Sequence, residues 1–385
     1  MEAGQTCLDG LVIVTSHAED PAEAVARIAD SIADVPLAGG LVFCSHRYDR
    51  GALARELEQV LPDAPLLGCT SAGELGATGY DTDSLVFIGF PQSAFHLSVL
   101  PFTDLDHFDA DTARKQVRGL VASGRQSAQG KLGSDSLSHV ALFLVDGLSH
   151  REELLTMTAQ EALGDIGLIG GSSGDGLAFR ETGVFFDGRF HRDAGVMALL
   201  SSSRPMRMFS AVHYRPGPQR MVITEADAET RTVFEINAAP AAEEYLRLVG
   251  NPGAELNVAF FAAHPLMVRT GGTHHVRSIQ SANPDGSLTF YCAIDRGIVM
   301  TIGEPVDRIA AMREMFAGLA EDVGEIDHII GFDCVLNRID AENRQLGREV
   351  SDLYAKEKVI GFNTYGEQFR SAHMNQTLSG LAIGH

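Results

Sequence analysis

One arrangement recurs three times along the chain, and it limits what the chain can fold into more than any single motif does. The first copy runs LVFCS (41–45), a helical stretch, PLLGCTSAGE (65–74) and SLVFIGF (84–90). The second runs VALFLVDG (140–147), a helical stretch, GLIGGSSGDG (167–176) and AGVMALL (194–200). The third runs HIIGFDCVL (328–336), a helical stretch, VIGFNTYGE (359–367) and LSGLAIG (378–384). In each copy two short apolar runs, with the length and bounds of buried strands, flank a segment of helical periodicity. Leu53, Leu57, Val60 and Leu61 mark that helix in the first copy, and Leu346, Val350 and Leu353 in the third. In the second, Ser149-x-x-Glu152 has the pattern of a capping box. A strand-helix-strand connection of this length implies a parallel, right-handed crossover, and the shorter return to the third strand implies an antiparallel neighbour. The expected fold is α/β: mixed sheets flanked by helices, with internal pseudo-repeats.

A different texture separates the second and third copies. From about 205 to 300, short alternating runs (RMVITEA, LNVAFFA, HHVRSIQ, SLTFYCAI) are divided by the turn signals RPGP, NPG, TGG and NPDG. This predicts an antiparallel, strand-rich C-terminal half. FEINAAPAAEEYLRLVG (234–250) interrupts it as a helix, with Asn237 as its expected N-cap and Gly250 as its C′ residue. No polar linker intervenes, so the halves are expected to pack together.

Composition narrows the partners. Lys and Arg number 30 against 51 Asp and Glu, giving a formal charge of −21, which repels phosphate backbones and argues against nucleic acid. At 45% hydrophobic and 21% charged residues the chain is globular rather than disordered. Cys7, Cys44, Cys69, Cys292 and Cys334 are scattered without a C-x-x-C pair, so reduced thiols are expected. The start lacks a signal-peptide pattern, and the longest apolar runs fall short of the ~20 residues a membrane span needs. The expectation is a cytoplasmic protein with no membrane partner.

Few motifs carry chemistry. The loops after the second strand of the repeat place Thr70, Ser71, Ser172 and Ser173 beside several backbone N–H groups, with Thr364 at the matching position of the third copy. Such loops either cradle an anionic ligand or make tight strand-end turns. Gly170-Gly171-Ser172-Ser173-Gly174 matches the G-x-S-x-G nucleophile elbow, with Asp187, His191 and His213 downstream. An elbow feeds straight into a helix, whereas DGLAFRETGVFFDGRF reads as strand and hairpin, so a serine hydrolase is the weakest reading. His274 and His275 are adjacent, and on a strand they would face opposite ways and could not share a metal. His264 is the sharpest single histidine, flanked in AFFAAHPLMVR by Phe260, Phe261, Leu266, Met267 and Val268. A buried structural histidine, a catalytic base and an axial haem ligand all remain open for it. His46, His213 and His373 lie in similar settings.

Taken together, PLLGCTSAGE, IGLIGGSSGDG, VFEINAAPA and IGFNTYGEQF…HMNQTLSGLAIG resemble the FIST-domain proteins. The resemblance covers nearly the whole chain. It implies an N-terminal FIST domain over 1–230 and a C-terminal one over 231–385, in a small-ligand sensor of signal transduction rather than an enzyme. FAAHPLMVRTGGTHHVRSIQSANPDGSLTFYCAIDRGIVMT (261–301) further resembles the nitric-oxide-sensing subgroup, although Ala238 stands where that family carries glycine. The subgroup resemblance implies haem b bound through a strand-borne His264, with Phe261 and Met267 beside it. It also implies nitric oxide as the signal and a separate histidine kinase or cyclic-di-GMP enzyme as output partner. The alternative within the family is a small metabolite such as an amino acid at Thr70, Ser71, Ser172, Ser173 and Thr364. Monomer and homodimer both remain open.

Overall fold

Each repeat folds into the same motif, and each motif completes the sheet of another. The computed structural model describes residues 10–62, 64–133, 136–270 and 272–385; Cys7 lies outside them. Module one runs β1 (Val12–Ser16), α1 (Pro21–Ile32), β2 (Leu37–Ser45), α2 (Arg50–Val60), β3 (Leu66–Ser71), the hairpin β4 (Glu74–Gly76) and β5 (Gly79–Asp81), and β6 (Leu85–Pro91). Module two runs β7 (Phe95–Thr103), α3 (Ala110–Leu132), β8 (Ser138–Val145), α4 (Glu152–Leu163), β9 (Gly167–Ser172), the hairpin β10 (Val184–Phe186) and β11 (Arg189–His191), and β12 (Ala194–Ser202). Module three opens with β13 (Met206–Val212) and is then interrupted by an insert. The insert comprises β14 (Tyr214–Asp227), β15 (Thr232–Ile236), β16 (Ala239–Pro240), α5 (Ala241–Val249), α6 (Val258–Ala263), β17 (Leu266–Thr270), β18 (Thr273–Arg277), β19 (Ile279–Ala282), β20 (Leu288–Phe290) and β21 (Val299–Pro305). Module three resumes with α7 (Arg308–Val323), β22 (Ile326–Cys334), α8 (Val335–Asn343), α9 (Gly347–Lys356), β23 (Val359–Thr364), the hairpin β24 (Glu367–Phe369) and β25 (Ala372–Met374), and β26 (Thr377–Gly384).

Local signals set these boundaries. Asp20, Asp49, Asp109 and Asp307 each accept a backbone N–H from the first turn of α1, α2, α3 and α7. In every module the two crossover strands are parallel and the return strand antiparallel. Alternation along the strands then divides the core. Val42 and Cys44 face α1 and α2, while Leu41 and Phe43 face inward. The inner faces of all three sheets share one core, where the Phe43 ring lies 4.5 Å from Phe362 and Phe332 lies 5.8 Å from Phe362. Backbones come very close at the crossover strands: a Cβ on Gly170 would stand 1.6 Å from Phe143 O, so only glycine fits there.

The hairpins are exchanged in a cycle. β10–β11 of module two extends the module-one sheet beside β3, β24–β25 of module three extends the module-two sheet beside β9, and β4–β5 of module one extends the module-three sheet beside β23. The insert forms its own antiparallel sheet in the order β18-β17-β21-β14-β15-β20-β19, with β16 on β15, around a separate core that includes Ile223, Tyr245, Phe261, Leu266 and Phe290. The α/β class, the pseudo-repeats and the strand-rich later half are therefore all present.

Three local expectations need correction. The helix expected from 234 begins at Ala241 with Pro240 before it; Asn237 instead sits at φ 54° in the β15–β16 turn, accepting from Val222 N and donating to Glu244. Ser149 does not box with Glu152: its hydroxyl accepts from Arg151 N and donates to Asp146 O, because the Glu152 carboxylate is taken by Arg231. His264 is not strand-borne but caps the C-terminus of α6. Among the described residues, no helix is long and apolar enough to cross a membrane.

Candidate functional site

The glycine-rich loops meet where the three modules exchange hairpins, and their polar groups face one another. The hydroxyls of Ser71 and Thr364 hydrogen-bond the carboxyls of Glu74 and Glu367, three residues on. Each carboxyl in turn accepts from the N–H and hydroxyl ten residues further on, at Ser84 (3.2 and 3.0 Å) and Thr377 (3.2 and 2.6 Å). Both carboxyls are fully buried, and burial pushes Glu74 up to about 7 and Glu367 up to about 8. In module two Asp146 fills this role, accepting from Asp193 N at 2.7 Å and from the Thr182 hydroxyl.

The remaining loop hydroxyls are engaged in the same way. Thr70 Oγ1 accepts from Gly183 N, Ser173 Oγ from Gly147 N, and Ser172 Oγ from Gln368 Nε2 at 2.8 Å. Loop N–H groups are used between modules: Ala72 N donates to Asn363 O, Gly174 N to Thr70 O and Tyr365 N to Ser172 O. Thr70, Ser71, Ser172, Ser173 and Thr364 are thus brought together, and their polar atoms interlock the hairpins. Sequence reading missed Glu74 and Glu367, although the shared spacing of Ser71-x-x-Glu74 and Thr364-x-x-Glu367 signals them.

His264 lies at a corner whose carbonyls are bound from several directions. The last turn of a helix leaves carbonyls without intrahelical partners. Here Ala259 O accepts from Asn343 Nδ2, Ala263 O from Arg344, His264 O from the Tyr245 hydroxyl (2.7 Å), and Ala262 O from both the Tyr214 hydroxyl (2.9 Å) and Gln376 Nε2 (2.7 Å). The half-buried imidazole lies tilted against Phe260, with ring centroids 4.4 Å apart, and its Nδ1 lies 2.9 Å from Phe260 O. A carbonyl only accepts, so Nδ1 carries the hydrogen, and in the neutral ring Nε2 keeps its lone pair. Phe261 is buried with Tyr245 in the insert core, and Met267 is buried with Tyr214 and Val276.

A second polar cluster joins the insert to the modules. Arg231, in the β14–β15 turn, donates to Glu152 (2.9 Å) and Glu153 (2.7 Å) in the first turn of α4. Glu153 also accepts from Ala293 N at 2.6 Å. Nearby, Arg277 donates to His373 O at 3.1 Å. The His373 ring lies against Gln368, Nδ1 to Nε2 at 3.0 Å, and burial pulls its pKa down to about 4.

Sequence comparison assigns this architecture. The FIST N domain model matches residues 38–239 and the FIST C domain model residues 241–370. The chain belongs to the FIST family. FIST domains are sensory domains, which gives the chain a role in sensing or signalling. The junction of the two FIST matches falls in the β15–β16 hairpin, inside the insert sheet, so the FIST C match contains most of the insert as well as most of module three. No curated protein matches the chain.

Proposed function

We propose that this FIST protein is a haem-based nitric oxide sensor that regulates a separate signalling enzyme, a histidine kinase or a cyclic-di-GMP enzyme. The observation that carries the reading is the fixed tautomer of His264. Its Nδ1–H is committed to Phe260 O at 2.9 Å, which leaves Nε2 as a neutral donor of the kind iron takes. The donor fits, and Phe260 supplies the aromatic neighbour. A ferrous haem held there would supply the metal to which nitric oxide binds.

The rest is done by the chain. Asn343 and Arg344 at the end of α8, and Gln376 at the entry to β26, hold carbonyls of the same corner. A movement of His264 is therefore felt by module three without crossing a flexible joint. Ferrous haem titrated into the full-length protein should give a saturable Soret band at one haem per chain that shifts with nitric oxide. His264→Ala should remove that band and leave the far-ultraviolet circular dichroism unchanged. Retained stoichiometry and spectrum in the variant, or a titration resembling free haem, would overturn the reading.

A further inference from the structure

The insert carries an open groove of about 750 Å3, in the size range of small-molecule sites. Arg220, Arg269, Arg277 and His274 line it, no carboxylate does, and Met267 and Val299 contribute apolar wall. In a chain of net charge −21, a concavity lined by three guanidinium groups and no acid stands against the overall balance. Strand register explains how the groups converge. Arg220 on β14 opposes Thr301 on β21, Thr301 opposes Met267 on β17, and Arg269 opposes His274 on β18. Directly opposed residues share a face, so the sheet itself aligns these side chains.

Two features point to a ligand. Among the described residues, Arg220 and Arg269 make no ion pair, and the buried Thr301 Oγ1 has no hydrogen-bond partner. Arg277 differs. It lines the groove while donating to His373 O on the exchanged hairpin. Guanidinium forks bind oxyanions in pairs of parallel hydrogen bonds, and the apolar wall suits a hydrocarbon or ring attached to the anion.

We propose that this groove binds a small molecule bearing a doubly charged oxyanion on an apolar body, and that Arg277 passes its occupancy to the β24–β25 hairpin. His264 does not line the groove, so the site is separate from the one proposed for haem.

The test uses the full-length, haem-free protein, so it fails or succeeds independently of the haem reading. Naphthyl phosphate, naphthalene dicarboxylate, inorganic phosphate and naphthol are titrated by calorimetry. One of the first two should bind saturably and more tightly than either half alone, and whichever binds better identifies phosphate or dicarboxylate as the head group. The double variant Arg220→Ala/Arg269→Ala removes two exposed side chains and should weaken that binding by about tenfold or more, because charge-assisted hydrogen bonds are lost. Bound probe should slow amide exchange in β24–β25 of the wild type and not in Arg277→Ala. No saturable binding, or unchanged affinity in the double variant, overturns the site; binding without slowed exchange in β24–β25 overturns the link through Arg277.

Discussion

At the scale of single residues, the buried acids at the hairpin exchange have the clearest consequence. Burial holds the Glu367 carboxyl at about 8, against an ordinary value of 4.5, so at neutral pH the folded protein keeps a proton that the unfolded chain has lost. Stability from this group is therefore full below pH 4.5 and falls as pH rises towards 8. His373 works oppositely and in another window. Its pKa is drawn down to about 4 by burial, so its contribution grows from pH 4 to 6.5 and is constant above. Between pH 6.5 and 8 the raised acids act and His373 does not. Glu367→Gln keeps an acceptor for Thr377 and a donor for Thr364 but cannot ionise. Over that interval the wild type should lose roughly 2 kcal/mol more than the variant, at about 1.4 kcal/mol per unit. Chemical denaturation at the two pH values checks this, and parallel losses would refute the assignment. Comparing wild type with variant also cancels the general repulsion of a chain carrying −21.

At the scale of elements, the turn between β14 and β15 is the joint between insert and modules. Arg231 adopts φ 54° at that turn and is the cation facing Glu152 and Glu153 on α4, all three being largely buried. Arg231→Ala leaves two buried carboxylates without their guanidinium, and removing one partner of a buried pair costs about 3–5 kcal/mol. A lower denaturation midpoint with faster proteolysis near residues 225–235 is the expected result; an unchanged midpoint would mean that the insert is held elsewhere. The sequence reading of these elements succeeded where the information was local. Leu53 and Leu57 lie buried on α2 as their spacing predicts, and Gly250 closes α5 in the left-handed region. It failed where a distant residue intervened. Ser149-x-x-Glu152 was a sound capping pattern until Arg231 claimed the carboxylate, and Asn237 gave up its cap to Pro240 and the β15–β16 turn. Nothing in the periodicity of Glu74–Gly76 says that it pairs with β23 in another module, because the pairing partner of a strand is not encoded in its own alternation. The arginine groove was illegible for the same reason: Arg220 and Arg269 meet only through strand register, and Arg277 joins them from the end of β18.

At the scale of the whole molecule, the cyclic exchange of hairpins means that no module owns a complete sheet. Opening module one removes β4–β5 from the module-three sheet and strips β10–β11 of its partner β3; the loss then travels round the ring. The shared core, in which Phe43 of module one, Leu142 and Ile169 of module two, and Phe332 and Phe362 of module three are buried together, closes the same circle through side chains. The insert stands differently, because its strands pair only with one another and the core of Ile223, Tyr245, Phe261, Leu266 and Phe290 lies wholly within it, while a smaller cluster joins Ala262 and Tyr291 to Cys334, Val335, Leu336 and Tyr365 of module three. Cooperative units follow such boundaries of pairing and burial. Native-state hydrogen exchange should therefore show the slowest amides of β3, β9 and β23 sharing one opening free energy, the global one, while those of β15 and β17 open at a lower value. Arg231→Ala should lower the insert value further than the global one. Distinct opening energies for the three modules would contradict a closed ring, and one value for every strand would contradict an independent insert. A rigid ring carrying a separately opening insert is the arrangement a sensor needs. Both His264 and the arginine groove lie on the insert, and Gln376, Arg344 and His373 carry their hydrogen bonds into the ring, so a ligand bound at either proposed site would act on the insert and reach the ring through those bonds.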